Sequence, residues 1–125
     1  MYNVDGLTGL KNRASLEYDY MNFYIKDKVL SVIMIDLDRL KKVNDNYGHS
    51  YGDEYIRLAT EAIKKAVGKL GISYRLGGDE FVVIMNCVNR QKVETMVENI
   101  YNEFHKRTID FLENPDLSIG FAIYE

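Results

Sequence analysis

The feature that most constrains the fold is a pair of glycines followed at once by two acids, set between two apolar runs. Gly77 and Gly78 precede Asp79 and Glu80, and residues 72–74 and 81–85 are rich in β-branched and aromatic side chains. Glycine pairs are common in the short turns of β-hairpins because glycine adopts positive φ angles without steric cost. The pattern predicts two antiparallel strands whose hairpin tip presents the two carboxylates. Alone, such a string also fits a plain hairpin with solvated acids.

A second acidic segment ends another predicted strand. Residues 29–35 form a nearly continuous apolar run, typical of a central strand that is buried on both faces, and Asp36 and Asp38 follow it. If this strand, predicted over residues 29–36, lies beside the hairpin, Asp36 and Asp79 can converge on divalent cations. In two-metal sites such cations lie about 3.5–4 Å apart and clamp a phosphate. The two segments together indicate phosphoryl or nucleotidyl transfer.

Helical periodicity precedes, separates and follows these strands. The apolar positions with helical spacing are Leu16, Tyr20, Phe23 and Tyr24, then Ile56, Ala59, Ala62, Ile63, Ala66 and Val67, and finally Val93, Met96, Val97, Ile100, Tyr101 and Phe104. Either Asn3 or Asp5 can cap an early turn together with Thr8. A last strand is predicted over residues 117–123, so the order is helix, strand, helix, strand, strand, helix, strand.

This order predicts an α/β (α+β) domain in which helices pack mostly on one face of an antiparallel sheet. The middle helix is expected to start irregularly near Leu40 and to run strongly over residues 53–67. Gly48 and Gly52 are expected to bend the chain between its two parts, which would bring Asn44 and Asp53 into one pocket.

Length and composition limit the remaining possibilities. The 125 residues, 46% of them hydrophobic, predict one domain over 1–125 with a substantial core. A net charge of −3 argues against a nucleic-acid partner or direct contact with an anionic membrane, because both need a basic surface. The single cysteine excludes an intrachain disulfide and fits a reducing cytoplasm. The sequence has neither an apolar stretch of membrane-spanning length nor the pattern of a signal peptide.

Four stretches, in order along the chain, resemble the GGDEF family of diguanylate cyclases. They are residues 5–13 (DGLTGLKNR), 36–53 (DLDRLKKVNDNYGHSYGD), 75–81 (RLGGDEF) and 118–120 (SIG). The resemblance implies the architecture shared with nucleotide cyclases and polymerase palms, built on a ferredoxin-like core. It also implies an activity, the condensation of two GTP molecules into cyclic di-GMP with release of pyrophosphate.

The resemblance further implies the roles of individual residues. Asp36, Asp79 and the main-chain carbonyl of Leu37 would bind Mg²⁺ or Mn²⁺, since hard cations prefer oxygen ligands. Asp79 would also accept the proton of the GTP 3′-hydroxyl, with help from Glu80. Lys41 would neutralise charge that develops on the phosphates.

The substrate-binding residues implied by the resemblance lie in the same two segments. They are Asn44, His49, Asp53, Gly77 and Gly78. Asn44 and Asp53 would recognise the guanine edge, because a carboxylate accepts from its N1 and N2 hydrogens and an amide can face O6 or N3. His49 would complete the nucleotide contacts.

Two departures from the family pattern carry expectations of their own. Gly68 and Gly71 stand where the family's allosteric product site has Arg-x-x-Asp, which predicts no feedback inhibition through that site. After the Ser-Ile-Gly strand the family normally continues with a further helix, which carries phosphate-binding Lys and Arg residues, and a closing strand. Because this chain stops at Glu125, we expect it to be a C-terminally short domain.

The resemblance also implies partners and leaves alternatives open. Family members are usually output modules of sensory proteins, some membrane-anchored, so an upstream sensory domain is expected. Catalysis would need an antiparallel homodimer, because each domain holds one GTP and the two nucleotides must be aligned for attack. One alternative is a GTP-binding regulatory module that has lost turnover. A cyclase with a mixed or single-nucleotide product is disfavoured by Asp53.

Overall fold

A computed structural model gives the structure of the chain and describes residues 3–27 and 29–125. Its helical elements are α1 (Arg13–Asp19), a π-helical segment (Tyr20–Tyr24), α2 (Ile25–Asp27), α3 (Leu40–Tyr47), α4 (His49–Val67) and α5 (Arg90–His105). The strands are β1 (Leu30–Leu37), β2 (Ile72–Gly77), β3 (Glu80–Met85) and β4 (Leu117–Tyr124). The predicted order of elements is confirmed, with the middle helix divided into α3 and α4.

The four strands form one antiparallel sheet in the order β2-β3-β1-β4. With a helical crossover between β1 and β2 and another between β3 and β4, this is the β-α-β-β-α-β pattern of a ferredoxin-like core. The predicted fold class is therefore confirmed. β1 lies in the centre, and its last residues meet the hairpin of β2 and β3 on one side and the start of β4 on the other.

The main core lies on one face of this sheet, under α3, α4 and α5. Alternate residues of β1 and β3 point into it, among them Ile33, Ile35 and Val83, because successive strand side chains face opposite sides. Ala59 and Ile63 of α4 and Ile100 of α5 pack against them, and all three side chains are fully buried. The predicted apolar stripes of both helices thus form the core, with Ala66 at its half-buried edge.

The opposite face of the sheet is only partly covered, so the expectation that β1 is buried on both faces is wrong. Val32 packs in a small second cluster around Tyr74 and Val82, but Met34 is 47% exposed and Asp36 is exposed. The physical reason is that α4 and α5 cover one face, whereas α1 and the π-helical segment cover only part of the other.

Between that first helical segment and the open face lies an apolar groove of about 890 Å³. Its lining includes Leu16, Tyr20, Val32, Met34 and Tyr124. Among the described residues that line it, Glu17 is the only acid, so this groove does not suit a nucleotide and its cations. Within the described ranges, no helix has the length and apolar character needed to cross a membrane.

The break between α3 and α4 occurs at one glycine and not at two. Gly48 has φ 92°, a region that glycine adopts without strain, and it separates the two helices as expected. Gly52 does not bend the chain, because it lies within the regular helix α4. Its importance is one of space: Asn44 of α3 packs directly against it.

Candidate active site

The hairpin places the two acids of the signature beside the end of β1. Gly77 pairs with Glu80, and between them Gly78, with φ 44°, and Asp79 form the turn. Glu80 lies opposite Asp36 in the register of β3 and β1. The Leu37 N–H donates a hydrogen bond of 2.9 Å to the Asp79 carbonyl. The sheet therefore fixes the tip of the hairpin against the strand that carries Asp36.

The charges at this point repel one another. Although Asp36 is exposed, its pKa is raised, first by partial desolvation and then by the negative charges of Asp79, Glu80 and Asp38. A small cavity of about 270 Å³ lies beside these residues and is lined by Asp36, Glu80 and Ser118 among others. Uncompensated carboxylates around a cavity are the electrostatic environment that a bound cation would stabilise.

The donor set fits a hard divalent cation. It consists of carboxylates and main-chain carbonyls, the oxygen ligands that Mg²⁺ and Mn²⁺ favour. In the part of the chain that the structure describes, no group of three His, Cys, Asp or Glu side chains could hold an ion unaided. Such a site matches a cation bound by one or two carboxylates, a main-chain carbonyl and substrate phosphates.

Arg75 links the hairpin tip to the N-terminal loop, a contact that the sequence did not predict. Arg75 Nη1 lies 3.0 Å from both carboxylate oxygens of Asp5, and its Nε and Nη2 donate to the Gly78 carbonyl at 3.3 and 3.1 Å. Asp5 also accepts from the Thr8 N–H and hydroxyl, which confirms the early turn, with Asp5 as the capping residue. Burial opposes ionisation of Asp5, but the Thr8 hydrogen bonds and the Arg75 charge lower its pKa overall.

The turn that follows β1 is held by four hydrogen bonds. Apart from the Leu37 contact, the Asp38 N–H donates to the Asp116 carbonyl at 3.0 Å, and Ser118 Oγ donates to Asp38 Oδ1 at 2.7 Å. The Asp38 carbonyl accepts from the hydroxyl of Tyr55 in α4 at 2.9 Å. These contacts join the end of β1 to β3, to the start of β4 and to α4.

The predicted base-binding residues lie where α3 meets α4. Asn44 and Asp53 are half-buried, and Asn44 packs against Gly52, the neighbour of Asp53. Asn44 Oδ1 is buried and has no hydrogen-bond partner among the residues that the structure describes. Buried polar atoms nearly always have a partner, so this amide oxygen is a candidate contact for a water molecule, an ion or a ligand.

Lys41 and His49, which are also predicted to contact the nucleotide, are exposed. Lys41 is in the first turn of α3, and His49 is the first residue of α4. Within residues 3–27 and 29–125, Lys41 forms no ion pair, which leaves it available to a phosphate group. His105 at the end of α5 pairs with Asp116, in keeping with a structural role.

The fold and this site define the class of the protein: an α+β domain with an acidic hairpin tip at the end of its central strand. The sequence matches the family described as "Diguanylate cyclase, GGDEF domain" over residues 2–125. The chain therefore belongs to the GGDEF family.

Similar proteins include both cyclases and phosphodiesterases by name. The chain is 35% identical over 100 residues to the Escherichia coli cyclic di-GMP phosphodiesterase PdeR, a match covering 78% of this chain and 15% of that protein. It is 31% identical to the Vibrio cholerae diguanylate cyclase VdcA, covering 84% of this chain and 31% of that protein. The chain thus spans less than a third of the length of either relative.

Among solved structures, the fold matches the GGDEF domain of DgcB from Caulobacter crescentus, determined in complex with c-di-GMP. The TM-score is 0.88 at 26% identity, covering all of this chain and 79% of that one. A sensory box/GGDEF family protein from the same organism matches with a TM-score of 0.76 at 30% identity, covering 98% of this chain and 84% of the other.

Proposed function

We propose that this domain is a diguanylate cyclase, which condenses two GTP molecules into cyclic di-GMP and releases two pyrophosphates. The observation that carries the proposal is the meeting of Asp36 with Asp79 and Glu80 at the end of β1. Family membership, the cyclase VdcA among the relatives and the c-di-GMP complex of DgcB support it. The site has kept the acids on which metal-dependent phosphoryl transfer depends.

Asp36, Asp79 and the Leu37 carbonyl would bind Mg²⁺ or Mn²⁺ together with the GTP phosphates. When bound, the cation supplies charge stabilisation and makes the 3′-hydroxyl easier to deprotonate. The hydrogen bond from the Leu37 N–H to the Asp79 carbonyl fixes these two ligand residues relative to one another. The chain's own contribution is thus a preformed oxygen cradle.

In the proposed chemical step each acid has a role of its own. Asp79 accepts the proton of the 3′-hydroxyl, Glu80 assists beside it, and the 3′-oxygen attacks the α-phosphate of the second GTP. As that oxygen–phosphorus bond forms, the bond from the α-phosphate to pyrophosphate breaks, and Lys41 offsets the negative charge of the leaving group. The 3′-oxygen of the second GTP attacks the α-phosphate of the first in the same way, which closes the ring and releases the second pyrophosphate.

The guanine base would bind between α3 and α4. The Asn44 amide would face O6 or N3 of the base, and Asp53 would accept from the N1 and N2 hydrogens. His49 contacts the nucleotide from the first turn of α4. Gly77 and Gly78 let the main chain approach it, because neither carries a side chain.

The reaction needs two copies of the domain, since one copy binds one GTP and the second nucleotide must be presented in line. The proposal therefore includes an antiparallel homodimer as the active form. It also includes release from feedback at the family's allosteric product site. A side chain at Gly71 would begin 2.9 Å from the Ile84 carbonyl, so the motif's aspartate does not fit here without a shift.

The length of the relatives suggests the setting. PdeR and VdcA are several times longer than this chain, which favours a domain that works beside others, such as a sensor, in the cytoplasm where GTP is available.

A second function is favoured by one observation, the 35% identity to PdeR, which is named for the opposite activity. In that case the domain would bind GTP and regulate a neighbouring domain without making product. The intact pair of Asp79 and Glu80 favours catalysis over this alternative.

The test is to incubate the chain with GTP and Mg²⁺ or Mn²⁺ and to identify products by chromatography with mass detection. We expect cyclic di-GMP from the wild type and none from Asp79→Asn, which keeps the shape of the turn but cannot accept the proton. ATP should give no product. GTP binding without turnover would instead support the regulatory module, and absence of GTP binding would refute both.

A further inference from the structure

A tyrosine hydroxyl lies at the centre of the contacts behind the acidic site. Tyr55 of α4 is 0% exposed, and its hydroxyl donates to the Asp38 carbonyl at 2.9 Å. The same oxygen accepts from the Asp116 N–H at 3.2 Å and lies 3.3 Å from the Asp116 carbonyl. Burial raises the pKa of Tyr55, so the hydroxyl stays protonated and remains a donor.

The turn that this hydroxyl holds is one that needs restraint. Arg39, directly after Asp38, has φ 65°, in the left-handed region that residues with a Cβ adopt only at an energetic cost. A turn in that conformation persists when its neighbours fix it. Leu37 and Asp38 are fixed within the sheet by Asp79 and Asp116, and Tyr55 adds a restraint from the helix.

The same helix carries Asp53, two residues before Tyr55, at the proposed base-binding pocket. One rigid element thus touches both halves of the site, the pocket for guanine and the main chain that follows Asp36. A phenylalanine would fill the same space but leave the Asp38 carbonyl and the Asp116 N–H without this partner.

We propose that Tyr55 is a positioning residue, whose hydroxyl holds the main chain of Leu37 and Asp38 in the conformation that binds the divalent cation. This inference rests on the proposed function of the site. Tyr55 touches neither substrate nor cation and acts through the main chain of the turn.

The test is a titration of the chain with Mn²⁺ in the presence of GTPαS, with free Mn²⁺ followed by electron paramagnetic resonance. Loss of a residue that orients metal ligands typically weakens metal binding or activity about 10- to 100-fold, and we expect Tyr55→Phe to weaken Mn²⁺ binding about tenfold. Asp36→Asn, which removes a proposed ligand, should lose binding entirely.

The matched control is Tyr101→Phe. Tyr101 also lies on a helix, and its hydroxyl also accepts from a main-chain N–H at the start of β4, that of Ile119 at 3.1 Å. Among the hydrogen bonds of the described residues, the Tyr101 hydroxyl bonds to β4 and not to the turn after β1. Thermal unfolding is measured on both variants, so that a general loss of stability is separated from a specific loss of Mn²⁺ affinity.

The outcomes separate this inference from the proposed function. Weaker Mn²⁺ binding in Tyr55→Phe than in Tyr101→Phe supports the positioning role of Tyr55. If both variants bind Mn²⁺ equally and Asp36→Asn does not bind it, the positioning role is refuted and the cation site stands. If the wild type fails to bind Mn²⁺, or Asp36→Asn binds it normally, the cation site itself is wrong and the inference falls with it. Should Tyr55→Phe not fold alone, it is titrated with trimethylamine N-oxide, an osmolyte that favours the folded state, beside the wild type in the same solution, and an Mn²⁺ affinity equal to that of the wild type refutes the inference.

Discussion

Replacing Gly52 by alanine is expected to weaken GTP binding while the domain stays folded. A Cβ at this position would lie 1.8 Å from Asn44 Oδ1 and 2.9 Å from Asn44 Cγ, closer than real Cβ atoms approach. The Asn44 amide must therefore rotate away, whereas the helix around Gly52 need not move. The substitution removes the amide from the proposed base pocket without changing Asn44 itself.

The substitution is expected to change stability little and to weaken binding strongly. Alanine in a helix interior is favoured over glycine by about 1 kcal/mol, and an off-rotamer asparagine costs about 0.5–1.5 kcal/mol. These nearly cancel, so the free energy of unfolding should change by less than about 1 kcal/mol. Hydrogen bonds from the amide to the base are worth roughly 1–3 kcal/mol, which corresponds to about a 5- to 150-fold loss of GTP affinity.

The assay pairs calorimetric GTP binding with urea unfolding. Asn44→Ala should weaken GTP binding to the same extent, and the double variant should show no further loss, because both changes remove the same amide. Ser50→Ala, exposed in the first turn of the same helix, controls for helix propensity. Wild-type GTP affinity in a folded Gly52→Ala would refute the assignment of Asn44 to the base pocket, and additive losses would refute a shared mechanism.

Three further expectations concern the charges of the site. Because the pKa of Asp36 is raised, the folded state loses stability as pH rises through the window above 3.8; Asp36→Asn should therefore melt at a higher temperature than wild type at pH 7, with the gap closing at pH 3 in thermal scans. The pKa of Asp5 is lowered, so its contribution is present above 3.8 and lost as pH falls further; Asp5→Asn should cost about 1–2 kcal/mol at pH 7 in urea unfolding, and a constant difference down to pH 2.5 would contradict the ion pair with Arg75. Removal of divalent cations by EDTA should abolish turnover and leave thermal stability in the absence of GTP unchanged, and Mn²⁺ should restore activity measured by chromatography; turnover that survives EDTA would argue against a cation.

The sequence predicted the order of elements and the positions of the strands because those follow from local periodicity. The hairpin at Gly77 and Gly78 and the apolar stripe of α4 are examples, since both depend on neighbours along the chain. The prediction that β1 is buried on both faces is wrong because hydrophobicity alone does not show how many layers cover a sheet. Met34 is apolar, but the first helical segment leaves it exposed.

Long-range contacts set the limit for the site. The segments that carry Asp36 and the signature acids could be found from sequence, whereas the contact of Arg75 with Asp5 joins residues 70 positions apart in the chain. The sequence assigns no role to Tyr55, because its hydroxyl gains one only from the turn that it contacts in the folded chain. The prediction that Gly52 bends the chain is wrong because spacing does not distinguish a flexible glycine from one required by close packing.

The most direct test of the account is the rate of cyclic di-GMP formation from GTP and Mg²⁺, measured over a wide range of protein concentration for the wild type and Asp79→Asn. If two copies present one GTP each, the rate per mole of wild-type protein rises with concentration until the dimer is saturated, and Asp79→Asn gives no product at any concentration. Contradiction would come from a wild-type chain that binds GTP and forms no cyclic di-GMP even at the highest concentration, or from an Asp79→Asn variant as active as the wild type.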